Sequence, residues 1–205
     1  MRYASIRELD ISNGEGVGVA LFVQGCRFAC KNCFNPETWD FNGGKEWTNE
    51  VKEKFLELIG RPYIKRVSLL GGECLADENL DGVLDLVTEI NKRYNIPQDI
   101  VCNNNSDRNI LNENSDEIRL SFSNKSIWIY SGYQWEQLFN NGIYLTKDCA
   151  GWKRREIVKK CTVMVDGRYV ESQRDITLKW RGSSNQKVID VSKSLQQNRI
   201  ILYCE

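Results

Sequence analysis

The sequence has no histidine among its 205 residues and only three prolines. A metal site in this chain must therefore be built from cysteine or oxygen ligands. An excess of charge is also missing, since 28 Lys and Arg balance 28 Asp and Glu. This balance argues against nucleic acid or an anionic membrane as the main partner, because both select basic surfaces.

Long hydrophobic runs are absent as well. No apolar stretch approaches the eighteen or more residues of a membrane span. The first ten residues, MRYASIRELD, lack the apolar core of a signal peptide. We therefore expect a cytoplasmic protein with no membrane partner. With 41% apolar and 27% charged residues, residues 1–205 are expected to form a single domain.

Cysteine, in contrast, is abundant, with eight residues. In a reducing compartment, clustered cysteines indicate a metal site, and scattered ones are usually small buried apolar side chains. Cys26, Cys30 and Cys33 are clustered, in the stretch GCRFACKNCFNPETWDF at 25–41. The other five are predicted to be packing residues: Cys74, Cys102, Cys149, Cys161 and Cys204.

Apolar patterns place the cluster directly after a strand. The run VGVALFVQGC (17–26) indicates a buried strand that leads into the cysteines. A helix capped by Thr48 follows, then a strand at Arg66–Leu70, the turn Gly71-Gly72-Glu73, and a helix with Asp77 as candidate cap. Further strands are predicted at 126–133, 161–167 and 199–204.

Alternating strands and helices predict an α/β fold of βαβ units around a mainly parallel sheet. Ligands of such folds bind at the carboxyl ends of the strands. The cysteines and Gly71-Gly72-Glu73 both follow strand ends, so we expect them to share one site. Residues around 100–124, rich in Asn, Ser, Asp and Glu, are expected to form a polar insertion with room for one short strand at 118–122.

Three adjacent thiolates leave two interpretations of the metal centre. Structural zinc takes four ligands in a closed tetrahedron, so a distant cysteine such as Cys74 would have to join. A 4Fe-4S cube can take three thiolates and keep its fourth iron open for a substrate. The spacing C-x3-C-x2-C favours the cube, and zinc remains the alternative.

This spacing, followed by the aromatic residue Phe34, resembles the signature of radical S-adenosylmethionine enzymes. The resemblance implies that Cys26, Cys30 and Cys33 are the catalytic metal ligands, which hold a 4Fe-4S cluster. It further implies that S-adenosylmethionine chelates the open iron through its amino and carboxylate groups. Phe34 would then lie by the adenine, with Asn32 among the cofactor-binding residues.

The same resemblance assigns Gly71, Gly72 and Glu73 to the amino group of the methionine moiety. Glycines allow a close backbone approach, and Glu73 offers a carboxylate to an ammonium. The family usually has Gly-Gly-Asp-Pro here, whereas this chain continues with Glu73-Cys74. The carboxylate is retained, and we expect Cys74 to pack and not to bind iron.

Four segments, in order, resemble the activating proteins of anaerobic (class III) ribonucleoside-triphosphate reductase. They are FVQGCRFACKNCFNPETWDFNGG, SIWIYSGYQWEQL, VMVDGRYVESQRD and WRGSSNQKVIDVSKSL. The resemblance implies a partial, open radical S-adenosylmethionine (β/α) barrel. It also implies reductive cleavage of S-adenosylmethionine to methionine and a 5′-deoxyadenosyl radical, and a glycyl radical formed on the reductase. A low-potential donor such as flavodoxin or ferredoxin would supply the electron.

Two other functions remain open at this stage. The first is a different radical reaction, either activation of another glycyl-radical enzyme of the pyruvate formate-lyase type or a reaction on a small molecule. The segment Arg181–Gln186, with its preceding tryptophan, argues against both of these reactions. The other is an iron–sulfur electron-transfer module. A pure electron carrier would ligate all four irons and would have no use for a Gly-Gly-Glu loop facing the cluster.

Overall fold

The computed structural model describes residues 1–95, 124–139 and 149–204. The predicted polar insertion around 100–124, including its short strand at 118–122, lies outside these ranges up to residue 123. Cys102 also lies outside them. Within the described ranges, none of the helices is both long and apolar enough to cross a membrane.

Seven strands form one open sheet in the order β3-β1-β2-β4-β5-β6-β7. The four central strands β2, β4, β5 and β6 are parallel, and antiparallel strands flank them at both edges. The predicted α/β fold with a parallel core is therefore confirmed. The strands are β1 Arg2–Asp10, β2 Gly18–Val23, β3 Lys45–Glu46, β4 Arg66–Gly71, β5 Ser126–Tyr130, β6 Val163–Asp166 and β7 Lys187–Asp190.

The predicted strand at 199–204 is wrong as an extended element. Only an isolated bridge joins Leu202 to Ile189, supported by a hydrogen bond from the Tyr203 N–H to the Val188 carbonyl at 2.8 Å. The edge place in the sheet belongs to β7, which sequence patterns did not indicate. β7 has the sequence KVID, in which the two apolar residues are adjacent and both buried, so it shows no alternating pattern.

Five helices lie among the described residues: α1 Asn49–Gly60, α2 Leu80–Tyr94, α3 Trp135–Phe139, α4 Ala150–Lys159 and α5 Val191–Gln197. Thr48 caps α1 as predicted, because its hydroxyl accepts a hydrogen bond from the Val51 N–H at 3.4 Å. The predicted cap of α2 is wrong. Asn79 occupies that place without a side-chain cap, and Asp77 instead pairs with Arg154 on α4.

The two faces of the parallel core have different neighbours. Side chains at alternate strand positions, such as Leu21, Leu69 and Ile129, pack with the buried faces of α1 and α2 in the main core. The intervening side chains, such as Phe22 and Trp128, belong to smaller clusters on the other face. That second face is where a ligand can reach the sheet.

A buried ion pair joins the end of β1 to the start of β4. Arg66, fully buried at the start of β4, donates to the Asp10 carboxylate at 2.9 Å and to the Asp10 carbonyl at 2.8 Å. It also donates to the Asn13 carbonyl and to the Ser68 hydroxyl. These bonds hold the β1–β2 turn over the second face. Burial raises the pKa of Asp10, but hydrogen bonds from Arg66 and Asn13 outweigh burial and lower it.

Replacement of Asp10 by alanine is expected to destabilise the protein by about 3–5 kcal/mol, because it leaves Arg66 buried without its counter-charge. The Asp10 contribution is present above the ordinary Asp pKa of about 4 and is lost as the pH falls through the lowered folded value. Urea denaturation at several pH values measures both effects. Glu46→Ala is the matched control, since its 3.7 Å pair with Arg2 is exposed and worth at most about 1 kcal/mol. Equal losses for the two variants would contradict the prediction.

Candidate functional site

The segment between β2 and β3, residues 24–44, is here called the cysteine loop. Its two ends are fastened to each other: the Gly25 and Cys26 N–H groups donate to the carbonyls of Thr38 and Trp39 at 2.8 and 3.0 Å. The buried side-chain amide of Gln24 donates to the Asp40 carbonyl at 2.7 Å. The part of the loop between these ties therefore projects from a fixed base at the end of β2.

Gly25 makes this tie possible. Its φ of +97° is a conformation that favours glycine, and a Cβ there would lie 2.2 Å from the Phe41 ring. The backbone therefore turns away from β2 at Gly25, and the next residue, Cys26, has a fixed position at the start of the cysteine loop.

The three clustered thiols line one cavity of about 530 Å³, here called the thiol cleft. All three are partly buried free cysteines. Burial raises the pKa of Cys26 and of Cys30, and the nearby Glu73 and Cys33 charges add to the respective rises. Burial therefore favours the protonated form of Cys26 and Cys30. A bound cationic centre reverses that preference, because it stabilises the thiolates.

Within the described ranges, no group of three or more Cys, Asp or Glu lies close enough to hold a single metal ion. A cube binds its thiolates through separate irons, so its ligands need not meet at one point. Three thiols around one cleft, in a chain without histidine, are a donor set that fits such a cluster.

Gly71, Gly72 and Glu73 lie beside the cysteine loop, as the strand-end argument predicted. The Gly72 N–H donates to the Val23 carbonyl at 2.9 Å, and the Glu73 N–H donates to the Gly25 carbonyl at 2.8 Å. A Cβ on Gly72 would lie 2.6 Å from the Gly25 oxygen. The two loops thus continue the parallel pairing of β2 and β4 beyond the strands, and all three residues line the thiol cleft.

The Glu73 carboxylate is almost fully buried and is held by three hydrogen bonds of 2.8 Å. Its Oε1 accepts from the Leu75 N–H and the Ser131 hydroxyl, and its Oε2 accepts from the Gly132 N–H. Burial raises the pKa of Glu73, and the three hydrogen bonds oppose this rise. A carboxylate offers about four acceptor positions, so one position remains for a ligand. Glu73 therefore also links the end of β4 to the end of β5.

Contacts around Phe28, which sequence reasoning did not find, bring the end of β6 to the same site. The Phe28 ring covers Gly132, where a Cβ would lie 2.3 Å from it. The Arg168 guanidinium lies 4.2 Å from the centre of the same ring. Phe28, Gly132 and Arg168 all line the thiol cleft.

The loop between β6 and β7, residues 167–186, forms another wall of the thiol cleft. Gln186 organises it: its side-chain oxygen accepts from the Gly182 N–H at 2.9 Å, and its side-chain nitrogen donates to the Gly167 carbonyl at 2.9 Å. This gives a structural reason for part of the Arg181–Gln186 segment, whose role the sequence did not reveal. Its only sequence signal was the family resemblance.

Phe34 and Asn32 differ in their placement. Phe34 lines the thiol cleft, is 60% exposed, and packs edge-on against Tyr169 with ring centres 5.0 Å apart. Asn32 is not among the lining residues. It adopts a φ of +55°, which asparagine tolerates better than most residues, and its side chain bonds to Glu171. The structure thus brings seven of the eight predicted site residues to one cleft.

Cys74, the candidate fourth ligand for zinc, is fully buried in the main core. The pKa of the Cys74 thiol is raised well above the ordinary value, and burial is the largest cause of this rise. The residue is not among those that line the thiol cleft.

We expect Cys74→Ala to retain the full iron content and to lower the stability by about 1 kcal/mol, as for loss of one buried heavy atom. If the chain binds the expected cluster and S-adenosylmethionine, addition of S-adenosylmethionine should perturb the EPR signal of the reduced cluster equally in wild type and variant. A perturbation seen in Cys74→Ala and not in wild type would instead mean that the thiol occupies the open iron.

Three thiols around one cleft, in a chain without histidine, are the donor set of an iron–sulfur protein. The family model described as a 4Fe-4S single cluster domain matches residues 12–118 and 107–189. The chain belongs to the family of anaerobic ribonucleoside-triphosphate reductase-activating proteins. It is 30% identical over 190 residues to the members from Salmonella typhi and Escherichia coli K12, which covers 92% of this chain and 97% of each relative. The member from Enterobacteria phage T4 is 27% identical over 188 residues, 92% of this chain and 93% of the relative.

Proposed function

We propose that this protein activates anaerobic ribonucleoside-triphosphate reductase by generating a glycyl radical on it. The observation that carries the proposal is the convergence of three thiols and the Gly71-Gly72-Glu73 turn on one cleft, in a chain whose relatives bear that activating name. The target comes from these names, and the chemistry from the resemblance of the cysteine motif to radical S-adenosylmethionine enzymes.

Cys26, Cys30 and Cys33 would hold three irons of a 4Fe-4S cluster and leave the fourth iron open. When bound, this group supplies the electron that cleaves S-adenosylmethionine reductively to methionine and a 5′-deoxyadenosyl radical. The protein chain itself contributes by positioning the groups that bind the cluster and S-adenosylmethionine. Its parallel pairing beyond β2 and β4 holds the thiols against the Gly-Gly-Glu turn.

S-Adenosylmethionine would bind between the cysteine loop and the turn. The remaining acceptor position of Glu73 suits the methionine ammonium, and the three hydrogen bonds that Glu73 already accepts fix its orientation. Phe34, on the cleft wall, would lie by the adenine. Asn32 would support the cysteine loop from outside the cleft, through its side-chain hydrogen bond with Glu171.

An open sheet suits a protein substrate. We propose that the sheet is a partial barrel within one domain spanning residues 1–205, open on the side away from the helices. A loop of the reductase could enter there. A low-potential protein such as flavodoxin or ferredoxin would deliver the electron. Six of the described cysteines, namely Cys26, Cys30, Cys33, Cys74, Cys161 and Cys204, are free thiols, which suits the reducing cytoplasm.

The test is anaerobic incubation of the reconstituted protein with the reductase, S-adenosylmethionine and a strong reductant. We expect a glycyl radical by EPR on the reductase and 5′-deoxyadenosine in solution. Cleavage of S-adenosylmethionine with a radical formed on a pyruvate formate-lyase type enzyme, but not on the reductase, would identify a different activase. Reversible cluster reduction without any cleavage would identify an electron carrier.

A further inference from the structure

Two neighbouring residues that follow the Gly-Gly-Glu turn, Glu78 and Asn79, contact the cysteine loop from outside the thiol cleft. Neither residue lines the cleft. Asn79 is buried, and its side-chain amide donates to the Gln24 carbonyl at 3.0 Å and to the Glu73 carbonyl at 2.9 Å. The backbone next to Glu78 is therefore fixed both to the base of the cysteine loop and to the turn.

The Glu78 carboxylate meets Arg27, which directly follows Cys26 in the chain. The Arg27 guanidinium donates a hydrogen bond to each carboxylate oxygen, from Nη1 to Oε2 at 2.7 Å and from Nη2 to Oε1. The same guanidinium lies 4.4 Å from the centre of the Phe41 ring. Arg27 therefore joins both ends of the cysteine loop to the segment that follows the turn.

An exposed ion pair usually contributes little, because holding two long side chains in one geometry costs conformational entropy. That cost is reduced for this pair, since Phe41 covers the guanidinium and Asn79 holds the backbone beside Glu78. The two parallel hydrogen bonds add both energy and directional specificity. The pair can thus restrain the cysteine loop although 64% of the Arg27 side chain and 42% of the Glu78 side chain are exposed.

We infer that the Arg27–Glu78 pair is a clasp that holds the cysteine loop in position for cluster uptake and slows loss of the cluster. The inference rests on the cluster that the proposed function requires. Backbone hydrogen bonds fix Gly25 on one side of Cys26, and the clasp fixes Arg27 on the other. A loop that is ordered before binding loses less conformational entropy on binding, so it holds its ligand more tightly. Arg27 and Glu78 are therefore positioning residues.

Glu78→Gln and Arg27→Met each remove the charge pair and retain the aliphatic part of the side chain. Iron release from the anaerobically reconstituted protein to a chelator should be about two- to fivefold faster in each, the upper part of the range for exposed ion pairs. The double variant should release iron no faster than the single variants, because both changes remove the same interaction. Added salt should speed release in wild type and much less in Glu78→Gln, since salt screens exposed charges.

The metal-free protein provides a second readout that needs no iron. Trypsin should cut after the exposed Lys31 about two- to fivefold faster in Glu78→Gln, because the unclasped loop opens more often. Asp85→Asn is the matched control for both assays. Its exposed carboxylate pairs with Lys52 at 2.9 Å and joins α2 to α1, not to the cysteine loop. This variant should release iron and be cut at the wild-type rates.

A wild-type rate of iron release or of cleavage in Glu78→Gln would overturn the inference. Additive effects of the two substitutions would also overturn it, since Arg27 and Glu78 would then act separately. Failure of the wild type to take up iron would count against the proposed function, whereas the cleavage assay, which needs no iron, tests the clasp itself.

Discussion

Cys30→Ala is expected to abolish iron binding and glycyl radical formation. The wild type, reconstituted anaerobically, should contain about four irons per chain, as one cube requires. Cys30 faces the cleft between its neighbours Cys26 and Cys33, and loss of one thiolate leaves a second iron without a protein ligand. Iron analysis and EPR of the reduced protein measure the loss. The same result is expected for Cys26→Ala and Cys33→Ala.

Cys204→Ala serves as the control for the cysteine series. Cys204 is a partly buried free cysteine that is not among the lining residues, so its variant should keep about four irons. Stoichiometric zinc and no iron in anaerobically prepared wild type would refute the cluster and restore the zinc interpretation.

Glu73→Gln is expected to have two separable effects. The NH2 group of a glutamine would replace one of the two carboxylate oxygens. It would then face either the Gly132 N–H or the Leu75 N–H and the Ser131 hydroxyl, so at least one buried donor loses its acceptor. The cost is about 1–3 kcal/mol of stability. The negative charge that is proposed to face the methionine ammonium is also lost, which should weaken S-adenosylmethionine binding roughly ten- to a hundredfold.

Ser131→Ala separates these two effects. It removes one of the three donors to Glu73 and leaves the carboxylate and its charge in place, so about 1 kcal/mol of stability should be lost. The S-adenosylmethionine affinity should fall less than in Glu73→Gln, because two hydrogen bonds still orient the carboxylate. Urea denaturation and equilibrium binding measure the two quantities. Wild-type stability of Glu73→Gln would contradict the observed hydrogen bonds. Wild-type affinity would show that Glu73 only connects β4 to β5.

The structure changes the expectation for Glu73 that the sequence alone supports. From the sequence, Glu73 offers its carboxylate to a ligand and has no other partner. The structure shows that residues 58 and 59 positions later supply two of its three hydrogen bonds. No local pattern reports contacts at that separation, because they depend on which strand becomes the neighbour of β4.

The strands differ in how far sequence patterns reveal them. β2 is buried at every position and appears in the sequence as a continuous apolar run. β1, at the side of the sheet, alternates irregularly between exposed and partly buried positions, so its sequence RYASIRELD gives no strand signal. The sequence 199–204 is largely apolar, but it pairs with the outer side of β7 only through an isolated bridge.

The sequence by itself determined which thiols and which turn lie together at the site. Cysteine spacing, the absence of histidine and the apolar runs before Gly25 and Gly71 are local properties that can be identified without coordinates. Together they placed three thiols and a Gly-Gly-Glu turn at neighbouring strand ends. Only the tertiary structure decided which residues complete the cleft, namely Phe28, Ser131, Gly132 and the β6–β7 loop. Their contacts join segments distant in the chain, and the packing of the whole sheet brings those segments together.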